Sequence, residues 1–122
     1  MKVDNCLTWT YDAETDSLFI YRNEKYDYET SLELNADVIL DLDDKGMPSA
    51  FEFLNASKLF KVNDSSLNSI KDINVSVSIT DKLIELNTEL TVLQEKFVKK
   101  DLFNMAANNY SIPEFDEVLS LA

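Results

Sequence analysis

At 122 residues the chain has the length of one ordinary domain, and its 45% hydrophobic content is enough for a self-sufficient core. Its 23 acidic and 11 basic residues give a formal charge of −12, concentrated in residues 1–60, which disfavours nucleic-acid phosphates and anionic lipid. The absence of histidine and the presence of only one cysteine and one glycine exclude imidazole triads, paired-thiol zinc sites and glycine-rich phosphate loops.

The first predicted strand carries Leu7, Trp9 and Tyr11 on one face, with Cys6, Thr8 and Thr10 on the other. A polar turn over residues 12–17 leads into Leu18-Phe19-Ile20-Tyr21, apolar on both faces and so expected to be a central strand. Tyr26 and Tyr28 sit among charged residues and are expected at the surface, whereas the other aromatics suit core packing. A weaker strand is readable from Glu29 to Leu34, followed by Val38-Ile39-Leu40-Asp41-Leu42. Asp43-Asp44-Lys45-Gly46 reads as a hairpin turn in which glycine supplies a positive φ, and Ser49 to Leu54 forms the return strand.

A short helix or turn is predicted over residues 55–60, and a second helix from Ser65 to Asp72 with Asp64 as its cap. Alternation then returns at Ile73, Val75, Val77 and Ile79, and again at Ile84, Leu86, Leu90 and Val92, with Thr80-Asp81-Lys82 as the turn between. Residues 94–105 fit either a helix face formed by Val98, Leu102 and Met105 or a hairpin turning at Glu95-Lys96. The hairpin satisfies more backbone groups of the preceding strand. Ser111-Ile112-Pro113-Glu114 matches a capping box and predicts a C-terminal helix packing Phe115, Val118 and Leu119 inward. The expected fold class is α+β: a largely antiparallel sheet meander with a few short helices. Residues 1–122 are expected to form one domain, with a helix-plus-hairpin extension (61–122) packing on a sheet core (7–60).

Candidate chemistry rests on carboxylates. From Asp41 to Glu52 the chain matches a calcium loop at the first, third, sixth and twelfth ranks, making Asp41, Asp43 and Glu52 candidate metal ligands. Lys45 at the fifth rank and the flanking strand alternation argue for a plain hairpin instead. Convergence of the turns after the first and fourth strands would gather Asp12, Asp16, Asp41, Asp43 and Glu52 for a small molecule, a cation or weak hydrolysis. Lys96, Lys99 and Lys100 form the only basic cluster, a weak nucleic-acid footprint that solvated surface explains better. Asn55, Ser57 and Lys58 follow a strand, where polar side chains serve either function or the capping of a helix start.

Three segments together carry a resemblance. Residues 11–20 pair Tyr11-Asp12 with an acidic turn and an apolar strand; residues 38–46 form a strand ending in Asp43-Asp44-Lys45-Gly46; and residues 51–57 read Phe-Glu-Phe-Leu-Asn-Ala-Ser. In order and spacing they resemble the YuzE-like family of small proteins, domain of unknown function 2283, over about residues 7–60. The resemblance marks Asp12, Asp16, Asp41, Asp43, Glu52, Asn55 and Ser57 as the family-motif polar residues. It implies no established activity and no cofactor. Some members lie beside small RelE-like toxins, which implies an antitoxin role for those members. Asn35-Ala36-Asp37 departs from the family by standing where many members have glycine. The extension from Phe60 is similar to long forms in methanogenic archaea.

The expected function is a non-catalytic protein-interaction module, self-associating or antitoxin-like, with small-molecule or cation binding or weak hydrolysis through clustered carboxylates as the alternative. A protein partner or a second copy is expected, with no nucleic acid and no membrane. A lone Cys6, no apolar run near the ~18 residues of a membrane span and no signal-like N-terminus point to the cytoplasm.

Overall fold

The computed structural model describes residues 3–94 and 97–122. Its strands are β1 (Val3–Asp12), β2 (Ser17–Arg22), β3 (Tyr28–Asn35), β4 (Val38–Asp43), β5 (Pro48–Phe53), β6 (Ile70–Ile79), β7 (Leu83–Gln94), β8 (Phe97–Asn108) and β9 (Phe115–Leu121). They form one nine-stranded sheet in the order β3-β4-β5-β2-β1-β9-β6-β7-β8. Every neighbouring pair is antiparallel except β1 and β9, which run parallel. Between β5 and β6 lie α1 (Ala56–Leu59) and a 3-10 turn (Asp64–Asn68).

The α+β expectation is thereby corrected. The protein is nearly all β, and the one α-helix among the described residues has four residues. The helix predicted over 65–72 shrinks to the 3-10 turn, with Asp64 inside it rather than capping it, because Ile70 is already committed to β6 opposite Val92. The predicted C-terminal helix is β9. Phe115 and Leu119 are four residues apart, a spacing that suits a helix face and a strand face alike. Tertiary pairing decides between them: β9 fills the gap between β1 and β6, so its backbone is bonded on both sides. The ambiguous segment forms β8, paired with β7 from Leu83↔Asn108 to Gln94↔Phe97; the predicted turn at Glu95-Lys96 lies outside the described residues.

Period-2 alternation aims one face of the sheet inward. Leu18, Ile20, Phe51, Phe53, Ile73, Val75, Leu86 and Leu90 are all fully buried on that face. The sheet curls until its two edges approach, with Asn35 Nδ2 lying 3.7 Å from Met105 Sδ between β3 and β8. Phe60, just after α1, packs edge-on against Phe53 (5.3 Å) and Phe103 (5.9 Å), so the segment after β5 reaches β8 on the inner side. The first five strands join the last four through the β1–β9 ladder, where Ser120 Oγ also donates to Asn5 Oδ1.

Candidate functional site

Three of the motif residues, Asp16, Asn55 and Ser57, meet at one end of the sheet, around Asp16. This residue sits in the left-handed region (φ 54), which a short polar side chain tolerates at the tip of the β1–β2 turn. Its Oδ1 accepts hydrogen bonds from Tyr11 Oη (2.6 Å) and the Ser57 amide (3.0 Å), and its Oδ2 accepts one from Ser57 Oγ (2.6 Å). Its main-chain carbonyl accepts the Ala56 amide at 2.9 Å. Asp16 therefore caps α1 from 41 residues away in sequence. Burial alone raises its carboxyl pKa, but the Ser57 hydroxyl, Tyr11 and the Ser57 amide outweigh burial and hold it below its ordinary value. Tyr11 shifts upward, first through burial and then through the hydrogen bond to Asp16 and its charge.

Asn55 also adopts a left-handed conformation (φ 53), but its side chain makes no cap; Nδ2 donates to Asp37 Oδ1 at 2.9 Å. Asp37 in turn accepts the Leu54 amide on its carbonyl at 2.8 Å. Turns 12–17, 35–37 and 54–57 are thus tied into one polar knot.

The other predicted residues lie elsewhere. The pairing Leu18↔Phe53↔Val38 sets the Asp16 turn at one end of the sheet, whereas Leu42↔Pro48 sets the Asp43 turn at the other, so the two acidic turns do not converge. Asp12 Oδ1 caps the Glu14 amide at 2.9 Å. Asp43 Oδ1 accepts the Lys45 and Met47 amides, both at 2.9 Å, closing a hairpin whose Gly46 has φ 78. Asp41 accepts Ser31 Oγ at 2.6 Å, and half-buried Glu52 lies on β5 opposite Phe19 and Ile39. Residues 41–52 are therefore two strands and a tight turn, and among the described residues no group of three or more carboxylate or thiol side chains is gathered to hold a metal ion. Of the predicted basic cluster, Lys96 lies outside the described residues, Lys99 Nζ donates to the Lys61 carbonyl at 2.6 Å, and Lys100 pairs with Glu89 at 3.3 Å. Tyr28 is exposed, as expected, whereas Tyr26 is half-buried.

Two features escaped the sequence reading. Arg22, the chain's only arginine, is 11% exposed and clamps Asp4 (3.2 Å), the Pro48 carbonyl (3.1 Å) and Cys6 Sγ (3.2 Å), with Glu24 and Glu117 within 3.9 Å. Burial pushes the Cys6 thiol up to about 11 despite the arginine, whose charge acts the other way. Rarity was the one available signal for Arg22, because a strand-end arginine among acids is otherwise unremarkable in a sequence. The second feature is a cleft of about 310 Å³ at the open seam of the sheet, between Leu32 and Leu34 of β3 and Ile84, Ala107 and Ile112 opposite. Its far wall is held by buried Asn109. Asn109 Nδ2 donates to the Thr80 (2.7 Å) and Ile112 (2.9 Å) carbonyls, and Oδ1 accepts the Ser111 and Ile112 amides. Tyr110, beside it, stands 89% exposed at the rim.

The outer face of the β7–β8 hairpin carries a further group. Val98 is 70% exposed, Leu102 62% and Leu93 37%, with Leu93 directly opposite Val98. Beyond its ladder with β7, no backbone group of β8 from Val98 to Asn108 bonds a strand, turn or loop among the described residues. No helix among the described residues is long and apolar enough to cross a membrane.

These features define a curled, nearly all-β protein whose motif side chains knit turns together and whose sheet keeps two unpaired edges. A family model described as "Protein of unknown function (DUF2283)" matches residues 9–57, the span that holds the Asp16–Ser57 knot. The chain belongs to that family. It is 30% identical over 115 residues to a Methanosarcina mazei protein named putative hypoxanthine phosphoribosyltransferase, covering 93% of this chain and 92% of that one. It is 41% identical over 88 residues to an uncharacterized protein of Methanocaldococcus jannaschii, covering 70% and 73%. No solved structure matches.

Proposed function

We propose that this chain is a non-catalytic protein-interaction module, acting as one unit across residues 1–122 and binding through the free edge of β8. The observation that carries this reading is the edge itself: a 12-residue strand with no second neighbour among the described residues, carrying exposed Val98 and Leu102. An unpaired edge offers main-chain hydrogen bonds to another strand, and apolar side chains beside it supply the contact area. The −12 charge disfavours phosphate-bearing partners. An antitoxin-like hold on a basic protein is the most specific form of this reading. The test is affinity capture with wild type and a Val98→Lys, Leu102→Glu variant as paired baits. Loss of the captured proteins from the variant supports the reading, and identical capture by both refutes it.

A second reading has a specific observation behind it: the name carried by the Methanosarcina mazei relative, together with the seam cleft. A flat purine base suits an apolar floor of Leu32, Leu34 and Ile84, with the Asn108 amide and the Tyr110 ring at the rim. The phosphate-bearing half of such a reaction calls for backbone amide cradles or free cations. Here the one glycine closes a hairpin, and Arg22 is already held by acids. Calorimetry with hypoxanthine alone separates the cases. Heat that a Tyr110→Ala variant abolishes supports base binding, and no heat at millimolar ligand rejects it.

A further inference from the structure

We infer that the partner of the β8 edge is a second copy of this chain, paired antiparallel about a two-fold axis at Lys100. The inference rests on the interaction reading above and names its partner. Directly opposed residues in an antiparallel pair share a face, so the two-fold axis must pass through a residue rather than between two. Val98, Lys100 and Leu102 point outward, and Lys99 and Asp101 are more covered, on the face of Phe103 and Met105.

With the axis at Lys100, Val98 faces Leu102 of the second copy and Lys99 faces its Asp101, each contact occurring twice. No neighbouring register does as well. An axis at Asp101 sets two part-buried carboxylates against each other and Lys100 against Leu102. An axis at Lys99 opposes two lysines. An axis at Leu102 sets Asp101 against the Phe103 ring. The register at Lys100 has one unfavourable contact, the two Lys100 ammonium groups on the exposed face, and each of these is already paired with its own Glu89 at 3.3 Å.

A second observation points the same way. Asp101 Oδ1 lies 3.4 Å from Lys99 Nζ of its own strand, but Asp101 Oδ2 is buried with no hydrogen-bond partner. A buried carboxylate oxygen without a donor is unfavourable in the lone chain. A lysine from the directly opposed position of another strand would stand beside it. Inward-pointing charges on an edge strand also penalise pairing with unmatched strands, so the same two residues that favour a second copy exclude most others. The approach of β3 at Met105 leaves the stretch from Val98 to Leu102 open for this pairing.

Sedimentation velocity of the full chain across a concentration series tests the proposal. The expected result is a reversible monomer–dimer equilibrium. Val98→Lys, at an exposed position that folding does not need, should weaken the dimer by about tenfold, and Lys100→Ala should tighten it. Lys100→Cys should form a disulfide-linked dimer on mild oxidation while Asn104→Cys, on the same face, does not. A monomer at every concentration, or cross-linking at Asn104→Cys instead of Lys100→Cys, overturns the inference. A monomer that still loses a foreign partner on Val98→Lys refutes self-pairing and leaves the interaction module standing. A monomer whose partners ignore Val98→Lys refutes both.

Discussion

Replacing Asp16 by asparagine removes the charge from the most connected carboxylate of the motif knot while leaving a side chain that tolerates the same left-handed backbone. Three donors reach Asp16 side-chain oxygens: Tyr11 Oη, the Ser57 amide and Ser57 Oγ. Hydrogen bonds to a charged acceptor contribute about 1.5–3 kcal/mol each when measured singly, and a shared acceptor makes them less than additive. Asparagine keeps one acceptor and turns an NH2 group towards Ser57 or Tyr11, so the net loss should be about 2–3 kcal/mol. For a domain of this size that corresponds to a melting temperature about 10 °C lower.

The pH dependence provides an internal control. The folded-state pKa of Asp16 is lowered, so its stabilisation is complete above about pH 4 and is lost as pH falls through the folded value. Urea denaturation of wild type and Asp16→Asn at pH 7 and near pH 2 measures both effects. The two proteins should differ at pH 7 and converge in acid. Equal stability at pH 7, or an undiminished gap in acid, would show that the knot does not anchor α1 through a charged Asp16.

Three further outcomes are expected. Asn109→Ala leaves two carbonyls and two amides without their side-chain partner, so it should lower stability by about 2–3 kcal/mol and speed hydrogen exchange at Ser111 and Ile112; unchanged exchange would remove Asn109 as the support of the cleft wall. Gly46→Ala places a Cβ 3.1 Å from two Pro113 carbons at φ 78, and should destabilise by about 1–2 kcal/mol in urea titration; a neutral or stabilising result would contradict the close approach of the β4–β5 turn to Pro113. Cys6 is 5% exposed with its thiol raised to about 11, so an aromatic disulfide reagent at pH 8 should label it only at the rate of unfolding; rapid labelling of folded protein would show that β1 opens locally.

Much of the fold can be read directly from the sequence. Alternation at Leu7, Trp9 and Tyr11, at Ile73 through Ile79 and at Ile84 through Val92 follows from the two-residue repeat of a strand, which needs no knowledge of neighbours. The turn at Gly46 is equally local, because few residues accept its φ. The motif polar residues could also be picked out, though not their roles. Asp16 and Ser57 are separated by 41 positions, and nothing in a one-dimensional string reports that a β1–β2 turn and a helix start share a hydrogen bond.

Other decisions belong to tertiary structure alone. Seven residues from Phe115 to Leu121 satisfy either period, and only the vacant edges of β1 and β6 make them a strand. The two acidic turns look equivalent in sequence, yet ladder register sends them to opposite ends of the sheet. The openness of β8 is likewise invisible locally, since an edge exists only relative to the strands that are absent beside it. Local sterics and side-chain periodicity are written residue by residue. Strand order, register and the seam are collective solutions to burying one apolar face while bonding the backbone.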